Sequence, residues 1–187
     1  MEVLVVLGVF SMTVMLTSSI FLLSNKAQRR VLGASAAQGD IRFALEAIVR
    51  EVRSGKVDYA FYEAAQGGVS VPARRLVLRN ASDQREEFFL ETSPTICPTG
   101  VAQCLAVTVN GSAAQSLTSI NLNVDDAQFY VSPAVDPFVP DAATGAYKAD
   151  AQPVVTMMIR GRTVTTRPDD SVTYTAQTTA ASRIYAR

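Results

Sequence analysis

Few residues in this chain can do chemistry, and each has a distinctive setting. The sequence opens "MEVLVVLGVF", which puts a carboxylate, Glu2, at the head of an apolar run with no cation beside it. A charge at the edge of a membrane span is costly, so it marks function by default. The plainer reading has Glu2 capping the positive end of a helix and staying wet among headgroups. The two cysteines, Cys97 and Cys104, lie in "CPTGVAQC", a spacing that is not CxxC, with no histidine or second cysteine pair to complete a zinc site. Pro98 and Gly100 form turns, so the segment folds back either to close a bridge or to leave two buried thiols. A bridge over so short a loop stabilises by about 2.5 kcal/mol in the chain-entropy model. It would also place this part of the chain in a periplasmic or extracellular setting.

Asp125, Asp126, Asp136, Asp141 and Asp150 gather around one long loop. Oxygen-rich loops bind calcium, which makes Asp136 and Asp141 weak candidates. No 12-residue calcium-loop pattern is present, and solvated loop acids are the simpler account. Histidine is absent from the chain, which removes the commonest general base and neutral metal ligand. There is no Walker loop, GxSxG elbow, HExxH or dinucleotide fingerprint, so neither catalysis nor a cofactor is expected. With 17 basic and 17 acidic residues the net charge is zero, and nothing indicates nucleic-acid binding. Asn80-Ala-Ser82 and Asn110-Gly-Ser112 fit the glycosylation triplet, the second being equally a good turn.

These residues need elements to position them, and the first is a span. From Val3 to Leu23 there is no charge, and 21 residues of helix rise about 31 Å, the thickness of a bilayer's hydrocarbon. The run is too long for a secretory signal's apolar stretch and lacks the basic residues that precede one. Gly8, Ser11, Thr13, Thr17, Ser18 and Ser19 lie within it, small or hydroxyl residues that permit close helix approach. The helical pattern then continues. In "GDIRFALEAIVREVRSG", Ile41, Leu45, Ile48 and Val52 form one stripe of an amphipathic helix, Glu46 precedes Arg50 by four, and Ser54-Gly55 ends it. One helix of about 50 residues is expected, with a soft joint between Gly33 and Gly39.

After Gly55 the pattern shifts to period two and short apolar runs. "KVDYAFYEA", "RRLVLRN", "EEFFLET", "CLAVTVNG", "SINLNV", "AQFYVS", "PVVTMMIRG" and "SVTYTAQTT" read as strands. In "SINLNV", Ile120, Leu122 and Val124 should be buried and Asn121 and Asn123 wet. The expected fold is α+β: a long N-terminal helix, transmembrane then amphipathic, packed on an antiparallel β-sheet head. Residues 1–24 would be the transmembrane or filament-core helix, 25–55 the amphipathic continuation and 56–187 the head. The loop from Pro133 to Pro153 is long, and "RPDDS" at 167–171 reads as a turn.

This plan resembles the type IV pilins and the pseudopilins of type II secretion. The opening "MEVLVVLGVF" is similar to the family's mature N-terminus from the fourth position onward, with Met1 before the glutamate. "DIRFALEAIVREVRSG" and the ending "QTTAASRIYAR" look like the helix and last strand of the minor class. The glutamate is second here rather than fifth, which implies three further mature residues before Met1. The first helix also lacks the proline that many pilins carry, so local melting would fall to Gly8 or the Ser/Thr cluster.

The resemblance implies a structural subunit with a free, methylated N-terminal amine, assembled through Glu2, Val3, Leu4, Val5, Val6, Leu7 and Phe10. Glu2 would face the amine of a neighbour, setting register more than adding net stability. The implied partners are copies of itself and other pilins in a helical filament, the inner-membrane assembly machinery and prepilin peptidase. The implied location is a bacterial surface filament serving adhesion, motility or secretion, with an inner-membrane pool before assembly. The alternative is a membrane-anchored extracytoplasmic binding or adhesion module that does not polymerise and uses the Pro133–Pro153 loop. Lys26, Arg29 and Arg30 follow the span with nothing basic before it, which by the positive-inside rule alone would place the head in the cytoplasm. A bridge at Cys97–Cys104 would place it outside, and a removed cationic leader reconciles the two.

Overall fold

The computed structural model describes residues 2–66, 68–140, 144–147, 151–165 and 170–183. One helix, α1 (Glu2–Ser54), runs unbroken for 53 residues, about 80 Å at 1.5 Å per residue. It does not break at Gly33 or Gly39. Ala34, Ala36 and Ala37 between them are the best helix formers, and Ala37 is fully buried against the head. The adjoining turn is tied down where the Ser119 hydroxyl donates to the Asp40 carboxylate. The helix ends where Gly55 meets the sheet. A Cβ at Gly55 would stand 2.5 Å from the Arg79 carbonyl oxygen, so only glycine allows this approach.

The chain beyond α1 forms two antiparallel sheets. The first holds β1 (Lys56–Val57), β2 (Arg75–Arg79), β3 (Arg85–Glu91), β4 (Cys104–Val109) and β5 (Gln115–Ser116) in chain order. The second holds β6 (Leu122–Ser132), β7 (Val154–Thr163) and β8 (Thr173–Ala181), also in chain order. The sheets are stitched together where Ala73 and Phe129 exchange backbone hydrogen bonds of 2.7 and 2.9 Å, and where the Val124 N–H donates to the Gln103 carbonyl at 3.0 Å. Ile41, Ala44, Ile48 and Val52 of α1 share one core with Leu76, Leu78 and Phe88 of the first sheet and Phe129, Val155, Met157 and Ile159 of the second. The expected α+β architecture is present, with two sheets in place of one.

Three local expectations are corrected. "KVDYAFYEA" is extended only at Lys56–Val57, and Tyr59–Gln66 forms a short helix, α2. Asp58 is its N-cap, accepting from the Phe61 N–H at 3.2 Å, and Tyr59 and Tyr62, three apart, turn one face inward. "SINLNV" and "AQFYVS" belong to a single strand, β6, whose register shifts by a bulge between Val124 and Asp126. The predicted faces of its first part also differ. Ile120 precedes the strand and is exposed, whereas Asn123 is buried, its side-chain oxygen accepting from the Ala102 and Gln103 N–H groups at 3.0 and 2.9 Å.

Tyr62 joins α2 to the first sheet. Its hydroxyl donates to the Arg75 carbonyl at 2.9 Å and accepts from the Val77 N–H at 2.8 Å. Burial, the largest influence, helps push its pKa up to about 12, so it stays a neutral donor. Tyr62→Phe leaves the buried Val77 N–H unpaired and is expected to destabilise the head by about 1–3 kcal/mol. Denaturant unfolding of the detergent-solubilised protein measures it, and a change within error would show that water replaces the hydroxyl.

Candidate assembly surface

The residues that the sequence singles out for assembly lie bare along α1. Val3, Leu4, Val5, Val6, Leu7 and Phe10 are 56–71% exposed, and Glu2 is exposed in the first turn. The apolar window of α1 is long enough to cross a membrane, and none of it is buried inside the protein. Its hydroxyls do not roughen this surface. Ser11, Thr13 and Thr17 donate to the carbonyls of Leu7, Val9 and Thr13 at 2.6–2.8 Å, and Ser19 donates to that of Leu16 at 2.8 Å. Each of these four is satisfied within the helix, which lowers its cost in an apolar setting. Among the described residues Glu2 meets no cation, and the first lysine in the chain is Lys26.

Farther along, Ile41, Leu45, Ile48 and Val52 are all buried on the head, joined by Ala37 and Ala44. The side of α1 turned away from that stripe carries a feature that the sequence reading missed. Phe10, Phe21, Leu32 and Phe43 recur every eleven residues and are 64–71% exposed. Eleven residues make just over three whole turns, so the four side chains drift only about 20° per step and form one line down the rod. That line extends 20 residues beyond Leu23, about 30 Å past the end of the apolar run. An eleven-residue repeat search would have found it.

Lys26 and Arg30, just after the span, face Asp170 at 3.9 and 3.4 Å. Asp170 precedes β8 and is only 15% exposed. "RPDDS" is therefore more than a turn at this position, since one of its acids anchors the head to the rod at the edge of the apolar run. Arg167, Pro168 and Asp169 lie outside the described residues.

The remaining candidates are structural. Cys97 and Cys104 form a disulfide buried with Val101. Asp136 accepts from the Phe138 N–H at 2.9 Å and lines a cleft of about 240 Å³ with Lys56, Asp58, Tyr59 and Arg79. Asp58 is already held by Arg79 and Arg85 at 3.2 and 3.1 Å, so the cleft has no surplus of negative charge. Asp141 lies outside the described residues, and among those described no three potential ligands converge. Asn80 and Asn110 both occupy turns, each accepting backbone N–H bonds through its side-chain oxygen.

The chain matches no family model, no curated protein and no solved structure. A long N-terminal helix with an antiparallel sheet and a disulfide is compatible with a pilin-like fold, and the helix is able to anchor in a membrane.

Where the rod enters the head, Glu51 stands near Glu86. Burial first, and the Glu86 charge second, push the Glu51 carboxyl above its ordinary 4.5, against a smaller pull from Arg50. With the folded pKa raised, the folded chain binds more protons between 4.5 and the raised value, and stability falls as pH rises through that window. Glu51→Gln is therefore expected to raise the thermal midpoint at neutral pH, with the gain fading as acid protonates the wild-type residue. A gain independent of pH would mean that charge is not its cause.

Proposed function

We propose that this chain is a structural subunit of a type IV pilus or of a related secretion pseudopilus, most similar to the minor class. The observation that carries this reading is the uncovered line of Phe10, Phe21, Leu32 and Phe43. A bilayer accounts for about 20 residues of apolar helix, and this line runs well past that. Lipid would cover Phe10 and Phe21 but leave Leu32 and Phe43 in water. The equivalent face of a neighbouring subunit would cover all four. On this reading the rod rests in the inner membrane, then trades lipid for other rods in a filament core while the head stays outside. The disulfide fits that location. Prepilin peptidase and the inner-membrane assembly machinery are the partners that such a cycle requires.

Glu2 then has a purpose that its own chain cannot supply. In a dry bundle a lone carboxylate is penalised by several kcal/mol unless a cation meets it, and the N-terminal amine of the next subunit is that cation. The pairing fixes which subunit sits beside which.

Two substitutions test the reading in the producing bacterium, with immunoblots of sheared surface material and of membranes. Glu2→Ala is expected to leave the protein in the membrane and remove it from filaments; normal incorporation at normal subunit levels would sink the pairing. Phe43→Glu alters a side chain outside the head's core, so the head should fold while incorporation drops roughly tenfold or more, as for loss of a packed aromatic anchor. Unchanged incorporation would show that no neighbour covers the outer face.

A further inference from the structure

Four sheet edges are present among the described residues, and three are blunted. β1 and β5, the edges of the first sheet, are two residues long. β6, an edge of the second, is bulged and walled in by the first sheet through Ala73 and Gln103. β8 is different. It is nine residues long and pairs with β7 without a register shift. From Ser171 to Ser182 it carries no charge and no proline. Within Ser171–Ser182 the charges, prolines and bulges that usually guard an edge strand are missing.

The register shows which groups face outward. At one end the Thr163 N–H donates to the Val172 carbonyl at 3.0 Å, and at the other the Ser182 N–H donates to the Pro153 carbonyl at 2.9 Å. In an antiparallel ladder such pairs alternate, so the even-numbered residues from 172 to 182 bond to β7. Thr173, Thr175, Gln177, Thr179 and Ala181 therefore turn both N–H and C=O away from the sheet. Among the described residues no backbone bond meets them. Thr173, Thr175, Gln177 and Thr179 are exposed, while Tyr174, Ala176 and Thr178, on the helix side, are only half-buried.

We propose that β8 is a docking edge for an extended, uncharged segment of another protein, which adds to the sheet as a fourth strand antiparallel to β8. The direction of β8 argues against a second copy. Asp170 lies at Lys26 and Arg30, Tyr174–Ala176 share a cleft with Gln38, Ile41 and Arg42, and the Arg183 N–H reaches the Arg53 carbonyl. β8 thus runs beside α1 in the same direction. Copies whose rods stand parallel, the one element taken from the filament reading, would bring two β8 strands together in parallel, whereas every pairing in this sheet is antiparallel. Backbone groups supply the affinity of such a joint, and small Thr, Gln and Ala side chains leave little sequence selectivity on the exposed face.

Amide hydrogen exchange on the full-length protein in detergent tests this. The probe is a capped nonapeptide of the β8 sequence, Thr173–Ala181, with an N-methylated version as control. In the free protein the amides of Thr173, Thr175, Gln177 and Thr179 should exchange quickly, while those of Tyr174, Ala176, Thr178 and Ala180 are protected. The peptide should slow the first set roughly tenfold or more, the N-methylated form should not, Gln177→Pro should abolish the effect and Gln177→Thr retain it. Proline at 177 removes an outward N–H and leaves the β7 ladder whole. Protection before any peptide is added, no protection at millimolar peptide, or equal protection by both peptides would each overturn the proposal. Protection that grows with protein concentration would replace the foreign strand with a second copy. None of these readouts depends on Glu2 or Phe43, so this proposal and the filament reading fail separately.

Discussion

The seam between α1 and the head is the constraint on which the rest of the molecule depends. Ala37, Ile41, Ala44, Leu45, Ile48 and Val52 are buried along it, and each large aliphatic so buried contributes roughly 1.5–3 kcal/mol. A helix has only one face to give. Spending Ile41, Ile48 and Val52 on the head obliges Phe43 and Leu32, on the far side, to stay outside it. The seam also fixes the rod's direction, because Asp170 clamps it again at Lys26 and Arg30. Among the described residues, none of the apolar window beyond that clamp is buried inside the protein.

The rod therefore meets two surroundings. Its first part is an uncharged apolar run from Val3 to Leu23, with the Ser11, Thr13, Thr17 and Ser19 hydroxyls satisfied by carbonyls a turn back, which suits lipid and tight helix bundles equally. Its second part has water on one side and the head on the other. A surface continuous across that boundary is hard to explain by a membrane alone, since lipid ends where the basic residues begin. A bundle of like helices has no such end. This is why the line of large side chains weighs more in the functional reading than the apolar run itself.

Much of this was legible in the sequence because it rests on local periodicity. The 3.6-residue stripe at Ile41, Leu45, Ile48 and Val52 and the uncharged run before it give the helix, and period-two patterns or short apolar runs give β2, β3, β4, β7 and β8. What escaped depends on tertiary partners. "YAFYEA" reads as a strand until Asp58 is seen to cap it and the Tyr62 hydroxyl to reach β2. Asn123 reads as wet until the disulfide loop is seen to need its oxygen. The division into two sheets was hidden because it falls between β5 and β6, where no local pattern marks a change of partner, and the outward line on α1 because an eleven-residue repeat is not visible in a stripe read over three turns. Asp170 was missed because nothing local marks a loop acid that faces cations on a helix some 140 positions earlier.

That acid also bears on the conflict between the charges after the span and the proposed outside position of the head. Lys26, Arg29 and Arg30 would ordinarily hold their end of a helix on the cytoplasmic side. Two of the three, however, face a carboxylate supplied by the head itself. The cations are half-exposed and the carboxylate largely buried, so the pairing places a counter-charge at the foot of the rod in the folded molecule. The cations then need no anionic leaflet to balance them, and they mark the joint between rod and head as well as any topological preference. A basic leader of the kind the pilin reading expects would supply the usual charge asymmetry while it is present during insertion, and folding would afterwards commit Lys26 and Arg30 to Asp170. The two signals act at different stages, so they need not agree.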